Sequence, residues 1–399
     1  MPQYRPRQDC ISNASITKSK APAEKSLQGV ILFGRISTLD KLKLLILFGG
    51  VSSEHDISRK STASVLNNIN REKYEITTIG ITRDGQWFLT EASPQAIEDG
   101  TWQEAEGNRR ATVSPDRSVH GIIIEEPDGT FTRKYIDVVF PVMHGQNAED
   151  GTLQGLLHIA GLSFVGPGPA ASAAGMDKAI TKAMVQQNGT VKQADTFVSH
   201  KRIYEMDKAS QMAAVKEYFH DTYPLFVKPA NAGSSVGITK VKGGDELEGA
   251  MDLAFQVDDK LLVEEAIVGR EIEVAVLGNE DPQASCVGEI FAANEFYDFD
   301  AKYENAASRT GIVRDLTDEQ IDIIRDKALT VYRIMGCKGL SRVDFFLTEN
   351  GTVVFNEINT LPGFTSISMY PQLWSESGIP YDELIDRLIQ LALDNKSGM

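Results

Sequence analysis

"TVVFNEINTLPGFTS", residues 352–366, is the stretch from which the fold is read. An apolar approach (Val353, Val354, Phe355) runs into Glu357 and Asn359, and a turn containing Pro362 and Gly363 follows at once. Successive side chains of a strand point to opposite faces, so Glu357 and Asn359 share one. The preceding apolar run, "LSRVDFFL" (340–347), carries Asp344. "TENG" (348–351) supplies the turn that would fold the two runs into a hairpin and bring Asp344 alongside. Two carboxylates and a carboxamide on one face form an all-oxygen donor set. Such a set, without His or Cys, suits Mg²⁺, which takes one or two carboxylates and leaves its other positions to phosphate oxygens and water. Acids are rarely buried alone, and an ion pair with Arg342, on the same strand face as Asp344, is the structural alternative.

Outward from this hairpin, the chain reads as alternating strands and helices. "KLKLLILF" (41–48), Gly49-Gly50 and "VSSEHDISRKSTASVLNNI" form a βα opening. "YEITTIGIT" (74–82) is the next strand, "RDGQWFL" (83–89) a short hairpin arm, and 92–118 a polar stretch of weak pattern. "GIIIEEPDGTFTRK" (121–134) is a hairpin around Asp128-Gly129, and "YIDVVFPVMHG" (135–145) is a buried strand. From 166 to 189 a Gly/Pro entry leads into an Ala-rich helix. "YPLFVKPANAGSSVGITKV" (223–241) reads as strand, glycine-rich loop and strand. "KLLVEEAIVGREIEVAVLG" (260–278) reads as two strands about a tight turn at Gly269. The expected fold is α/β, with α+β character in the central domain. The expected division is an extension over 1–40, a first α/β domain over 41–165, a central domain over 166–263 and a C-terminal domain over 264–399, with a loop rich in acids and aromatics at 291–312.

The totals bound the function. A chain of 399 residues is too long for one core of ordinary size. A formal charge of −16 argues against nucleic acid as a partner. Three scattered cysteines give neither a disulfide framework nor a zinc spacing, which fits a reducing cytoplasm. No apolar run approaches the ~20 residues that span a bilayer. Residues 1–40 read as a disordered extension, with a processed leader as the rival reading.

Further stretches carry chemistry. In "KPANAGSSVG" (228–237), Lys228 closes a strand, and Gly233, Ser234, Ser235 and Gly237 let backbone N–H groups approach phosphate oxygens. The spacing is not that of a Walker loop, and a flexible hairpin turn is the alternative. Lys178, in "GMDKAITKAM", is either a second phosphate cation or a solvated helix residue. The acidic run "VEEAIVGREIEV" (263–274) is either a nucleotide-side hinge or a solvated turn. Glu54, in "FGGVSSEHD", stands at a helix start, where a negative charge is ordinarily favourable. His144 stands at the end of a strand, where doubly wound sheets bind ligands.

Taken in order, "LFGGVSSEHDIS", "HGQNAEDGTLQG", "MDK", "VKPANAGSSVG", "FYDFDAKY", "GLSRVDFF" and "NEINTLPGFTS" resemble the D-alanine–D-alanine ligases of the ATP-grasp superfamily, from about Lys43 to Leu393. The resemblance implies a three-domain ATP-grasp architecture with a Rossmann-like N-terminal domain. It implies an ADP-forming, ATP-dependent joining of two D-alanines through D-alanyl phosphate for cell-wall precursors, with D-alanine–D-lactate and D-alanine–D-serine ligases as variants. It places two Mg²⁺ on Asp344, Glu357 and Asn359, with Mn²⁺ able to substitute. Lys178, Lys228, Ser235 and Lys302 would meet the nucleotide phosphates, with Glu264 at the adenine side and Glu271 at the ribose. Arg342 and the Gly363 N–H would stabilise transferred charge. Glu54 would grip the first substrate's ammonium, His144 would sit near its carboxylate, and Ser368 would hold the second carboxylate. Tyr303, Ser234 and Glu54 would latch the mobile loop, and Tyr303 favours D-alanine as second substrate. A cytoplasmic homodimer is implied. The hinge departs from many relatives, with Glu265-Ala266 in place of Lys-Trp.

Overall fold

The computed structural model describes residues 41–233, 236–291 and 309–395. The calls on Ser234, Ser235, Lys302 and Tyr303, and the extension 1–40, lie outside the described residues. Three sheets organise the rest.

In the eight-stranded first sheet, Leu42–Gly49 lies between Tyr74–Ile81 and Val138–Val142 and is parallel to both. Leu44 through Phe48 are fully buried, as expected of a parallel strand covered on both faces. The strand hands the chain to helix His55–Asn68, which buries Ser58, Thr62, Val65 and Leu66 at helical spacing. Glu54 occupies the N-cap position, but its side chain makes no capping bond. The stretch 92–118 departs from its weak sequence pattern. It contains helix Pro94–Asp99, a short 3₁₀ turn and strand Arg109–Val113. Its signals are local: Ser93 caps the helix, Pro94 begins it, and Ile97 and Trp102 are buried singly rather than in a run.

Residues 166–189 form two helices, Pro169–Met176 and Lys178–Asn188, rather than one. Asp177 leaves helical geometry between them and caps the second by accepting from the Ala179 and Ile180 N–H groups. The two strands of 260–278 do not pair with each other. Lys260–Glu265 belongs to a four-stranded sheet with Thr196–His200, Leu225–Pro229 and Thr239–Val241, whereas Arg270–Gly278 belongs to a six-stranded sheet. Residues 266–269 are therefore a crossing between sheets. A Cβ at Gly269 would stand 2.7 Å from the Leu347 carbonyl oxygen, so only glycine fits that approach.

In the six-stranded sheet the hairpin read from sequence is present, and Asp344 is directly opposite Glu357. Gln283–Phe291 pairs antiparallel with Arg309–Ile312, Phe291 opposite Arg309. The expected loop 291–312 thus begins and ends as neighbouring strands. The last helix, Tyr381–Asp394, buries Leu384, Ile385, Leu388 and Ile389 in a core shared with the first sheet. The Tyr74 hydroxyl donates to Asp386 at 2.8 Å across that contact. The last segment thereby packs back onto the first sheet.

Candidate active site

Across three adjacent strands, Glu273, Asp344 and Glu357 stand at one register position. Like charges at that spacing repel. Arg342 answers them: its Nε lies 3.2 Å from a Glu273 oxygen, and its Nη2 donates to Asp344 at 2.7 Å. Burial opposes the guanidinium charge, but Asp344 and Glu273 outweigh it and hold Arg342 firmly protonated. Asn359, opposite Arg342, donates through Nδ2 to Asp344 at 2.9 Å. The ion pair offered by the sequence as the structural alternative is present, with both Asp344 oxygens engaged by Arg342. Among the described residues, no three or more acidic, histidine or cysteine side chains are grouped to hold a metal. The candidate set remains two carboxylates and a carboxamide. Its all-oxygen chemistry fits a hard divalent ion completed by phosphate oxygens and water, and Glu357 lines both cavities, with Asp344 on the second and Asn359 on the first.

Two cavities meet at this face. One, about 290 Å³, is bounded by Glu54, His144, Glu149, Gly363 and Ser368. The other, about 340 Å³, lies under the crossing 266–269 and is bounded by Lys182, Lys228, Glu264 and Glu271. Lys178, Glu273, Arg342 and Glu357 line both. Ile290 and Thr310, beside the two ends of the undescribed segment 292–308, line the first.

The second cavity is cationic at its base. Glu264, which is buried, receives Lys182 Nζ at 2.7 Å and Lys228 Nζ at 2.6 Å. Burial would raise its carboxyl, but the two ammonium groups overcome this and hold it at about 2. The acid read as a hinge residue is thus also the counter-ion that fixes two lysines. Lys178 Nζ donates to the Ala232 carbonyl at 2.8 Å and stands 3.4 Å from Glu357. Lys182 went unnoticed in the sequence; the signal was its place four residues after Lys178, which puts both on one helix face. A carboxyl held below its ordinary value stabilises the fold above pH 4.5 and loses that contribution as pH falls towards about 2. Glu264→Gln is therefore expected to cost about 3 kcal/mol at neutral pH. In urea unfolding, the gap from the unaltered chain should close as pH approaches 2. A gap that stays constant with pH would contradict the assignment.

The first cavity joins distant segments. Gly145 has φ +72°, and a Cβ there would stand 2.8 Å from a Glu54 carboxylate oxygen. A Cβ at Gly233 would be 3.7 Å from the same oxygen. Glu54 is thus turned towards the glycine-rich loop rather than towards its own helix. Ser368 Oγ accepts the Thr365 N–H at 3.1 Å and lies 3.1 Å from where a Cβ of Gly363 would sit. His144 is buried, and both ring nitrogens are engaged: Nδ1 with the Leu361 carbonyl at 2.9 Å and Nε2 with Ser61 Oγ at 3.0 Å. Burial lowers its pKa against the opposing pull of Glu54, leaving a neutral ring. Glu149, not singled out in the sequence, accepts the Gly145 N–H at 2.9 Å. Burial and then Glu54 push its carboxyl up to about 8.

The chain is similar to known proteins over most of its length. Residues 43–167 match the family model "D-ala D-ala ligase N-terminus" and residues 184–390 match "D-ala D-ala ligase C-terminus". The chain is 47% identical to a D-alanine–D-alanine ligase of Acetivibrio thermocellus over 368 residues, covering 89% of this chain and 96% of the relative. It is 47% identical to D-alanine–D-alanine ligase B of Clostridium tetani, covering 92% and 97%. Among solved structures, the VanG D-Ala:D-Ser ligase of Enterococcus faecalis superposes with a TM-score of 0.79 at 38% identity, covering 88% of this chain and 99% of that one. The D-alanine–D-alanine ligase of Coxiella burnetii gives 0.77 at 35%, covering 90% and 95%. The architecture is that of these ATP-grasp proteins, α/β with a Rossmann-like N-terminal part. No helix of the described residues is long and apolar enough to cross a membrane.

Proposed function

The chain belongs to the D-alanine–D-alanine ligase family, and from that premise we propose that it joins two D-alanines at the expense of ATP. The observation that carries the reading is the meeting of two cavities at Lys178, Arg342 and Glu357. One presents Lys182 and Lys228, which suit nucleotide phosphates, the other presents Glu54 and Ser368, which suit small amino acids, and the wall between them carries the Arg342 cation that phosphoryl transfer calls for.

In the first step a carboxylate oxygen of the first D-alanine forms a bond to the γ-phosphorus, and the bond to the β,γ-bridging oxygen breaks, releasing ADP. In the second, the deprotonated amine of the other D-alanine attacks the acyl carbon. The tetrahedral adduct collapses, phosphate leaves with the bonding pair, and the nitrogen loses a proton. Glu264 holds Lys182 and Lys228 at the adenine side, Glu271 takes the ribose, Lys178 and Lys228 face the phosphates, and the reading gives Ser235 and Lys302 a part in binding them. Glu54 binds the first ammonium and Ser368 the second carboxylate, and the reading gives Ser234 and Tyr303 the role of a latch with Glu54. Arg342 receives the charge that gathers on the transferred phosphoryl group, and Arg342 with the Gly363 N–H receives that on the tetrahedral oxygen. Asp344, Glu357 and Asn359 would hold two Mg²⁺, which supply charge neutralisation across the phosphates when bound. The reading places a homodimer in the cytoplasm, working on cell-wall precursors.

The similarity to a D-Ala:D-Ser ligase supports a second reading, in which D-serine is the second substrate. A panel pairing D-alanine with D-alanine, D-serine or D-lactate, with L-alanine as control, decides between them. D-alanine alone is expected to drive phosphate release and dipeptide formation, with L-alanine inert. Release confined to the D-serine or D-lactate arm would move the chain to the variant activity.

A further inference from the structure

We propose that His144 and Glu149 act together as positioning residues that fix the turn 361–364, and with it the Gly363 N–H, for the second chemical step. This rests on the ligase reading above and changes the role of His144 from substrate contact to support.

Both backbone polar groups of Leu361, two residues before Gly363, are held by side chains of the loop that follows strand Val138–Val142. The Leu361 carbonyl accepts from His144 Nδ1 at 2.9 Å, and the Leu361 N–H donates to Glu149 Oε2 at 3.4 Å. The Thr360 hydroxyl donates to the Glu149 backbone carbonyl at 3.4 Å. Past the glycine, the Phe364 N–H donates to Ser61 Oγ at 3.3 Å, and Ser61 Oγ is bonded to His144 Nε2 at 3.0 Å. One proton arrangement satisfies the chain: Phe364 N–H to Ser61, Ser61 O–H to Nε2, and Nδ1–H to Leu361. It needs a neutral imidazole, which burial of the ring favours, with its proton on Nδ1, because the Leu361 carbonyl can only accept. With both nitrogens engaged inside the protein, His144 has no ring nitrogen left to offer a carboxylate. The turn between the donor-bearing strand and Ser368 is thus tied at 360, 361 and 364, leaving Pro362 and Gly363 at the cavity.

Such a clamp acts selectively. Phosphoryl transfer to the first D-alanine does not need a donor at the tetrahedral oxygen, whereas collapse to the peptide does. The experiment is a single-turnover quench of the full-length protein with ATP, Mg²⁺ and D-alanine, reading ADP and dipeptide separately. In His144→Ala and Glu149→Ala, ADP formation and the KM for the first D-alanine are expected to stay unchanged, while dipeptide formation slows about 100-fold. The double variant should be no slower than the worse single one, because both side chains hold the same residue. His144→Asn, which keeps a donor near Nδ1, and Glu149→Gln, which keeps one acceptor, should recover about tenfold of the loss. They carry the same two-step test if an alanine variant does not fold. Equal slowing of both steps with a raised KM for D-alanine would make His144 a substrate contact and overturn the clamp. So would dipeptide formation at the unaltered rate. Absence of D-alanine-dependent ADP from the unaltered chain would instead overturn the ligase reading.

Discussion

Arg342→Lys is expected to fold and to lose about 10³–10⁵ of its dipeptide-forming rate, the range set by a cation that stabilises a transferring phosphoryl group. The guanidinium reaches Glu273 and Asp344 at once, with Nε and Nη2 each bonded to an Asp344 oxygen, at 2.8 Å and 2.7 Å. A lysine keeps the charge that separates the acids but cannot reproduce that planar fork or aim the remaining donors at the cavity. Arg342→Met goes further, because it leaves Glu273 and Asp344 directly opposite each other without this cation. Breaking a buried pair in this way costs about 3–5 kcal/mol, so its unfolding midpoint in urea should drop as well. The lysine variant is therefore the informative one. Near-normal turnover in it, with an unaltered melting curve, would show that Arg342 is a structural ion pair and nothing more.

Asp344→Asn and Glu357→Gln should each lower turnover by at least about 10³-fold, the scale of several kcal/mol of lost charge stabilisation. Neither change alters side-chain volume appreciably. Asp344→Asn keeps an oxygen to accept from Arg342 or Asn359, and Glu357→Gln keeps an oxygen facing Lys178, 3.4 Å away in the unaltered chain. Circular dichroism should therefore stay that of the folded chain, with the melting of Asp344→Asn lowered by loss of its charge beside Arg342, while Mg²⁺-dependent nucleotide binding, followed by titration calorimetry, weakens in both. Full activity in both variants would remove the metal assignment, whatever became of the fold.

The parts of the structure legible from sequence are those written in local period. The alternation in 340–347 and 352–359 set the hairpin and the shared face of Asp344, Glu357 and Asn359. The buried run at 41–48 followed by two glycines set the βα opening. What the sequence concealed depends on contacts between distant residues. Nothing in "EIEV" says that Glu273 stands beside Asp344, because that register is made across strands about 70 residues apart. The apolar pattern of 260–278 is the same whether its two strands pair or diverge into two sheets. His144 and Leu361 are 217 positions apart. The "HGQNAED" segment therefore gave no sign that His144 bonds the Leu361 carbonyl. The helix at 94–99 was missed for a different reason: six residues with one buried side chain carry too little periodicity to register, although Ser93-Pro94 announced its start.

The most direct test follows the oxygen. D-alanine labelled with ¹⁸O in both carboxylate positions is turned over with ATP and Mg²⁺, and the released phosphate is analysed by mass. If the carboxylate attacks the γ-phosphorus and the resulting C–O bond breaks when the amine arrives, each phosphate carries a single ¹⁸O, and the dipeptide's peptide carbonyl keeps the other. Phosphate free of label, released alongside dipeptide, would mean that ATP is cleaved by water and that no D-alanyl phosphate forms at the junction of Lys178, Arg342 and Glu357.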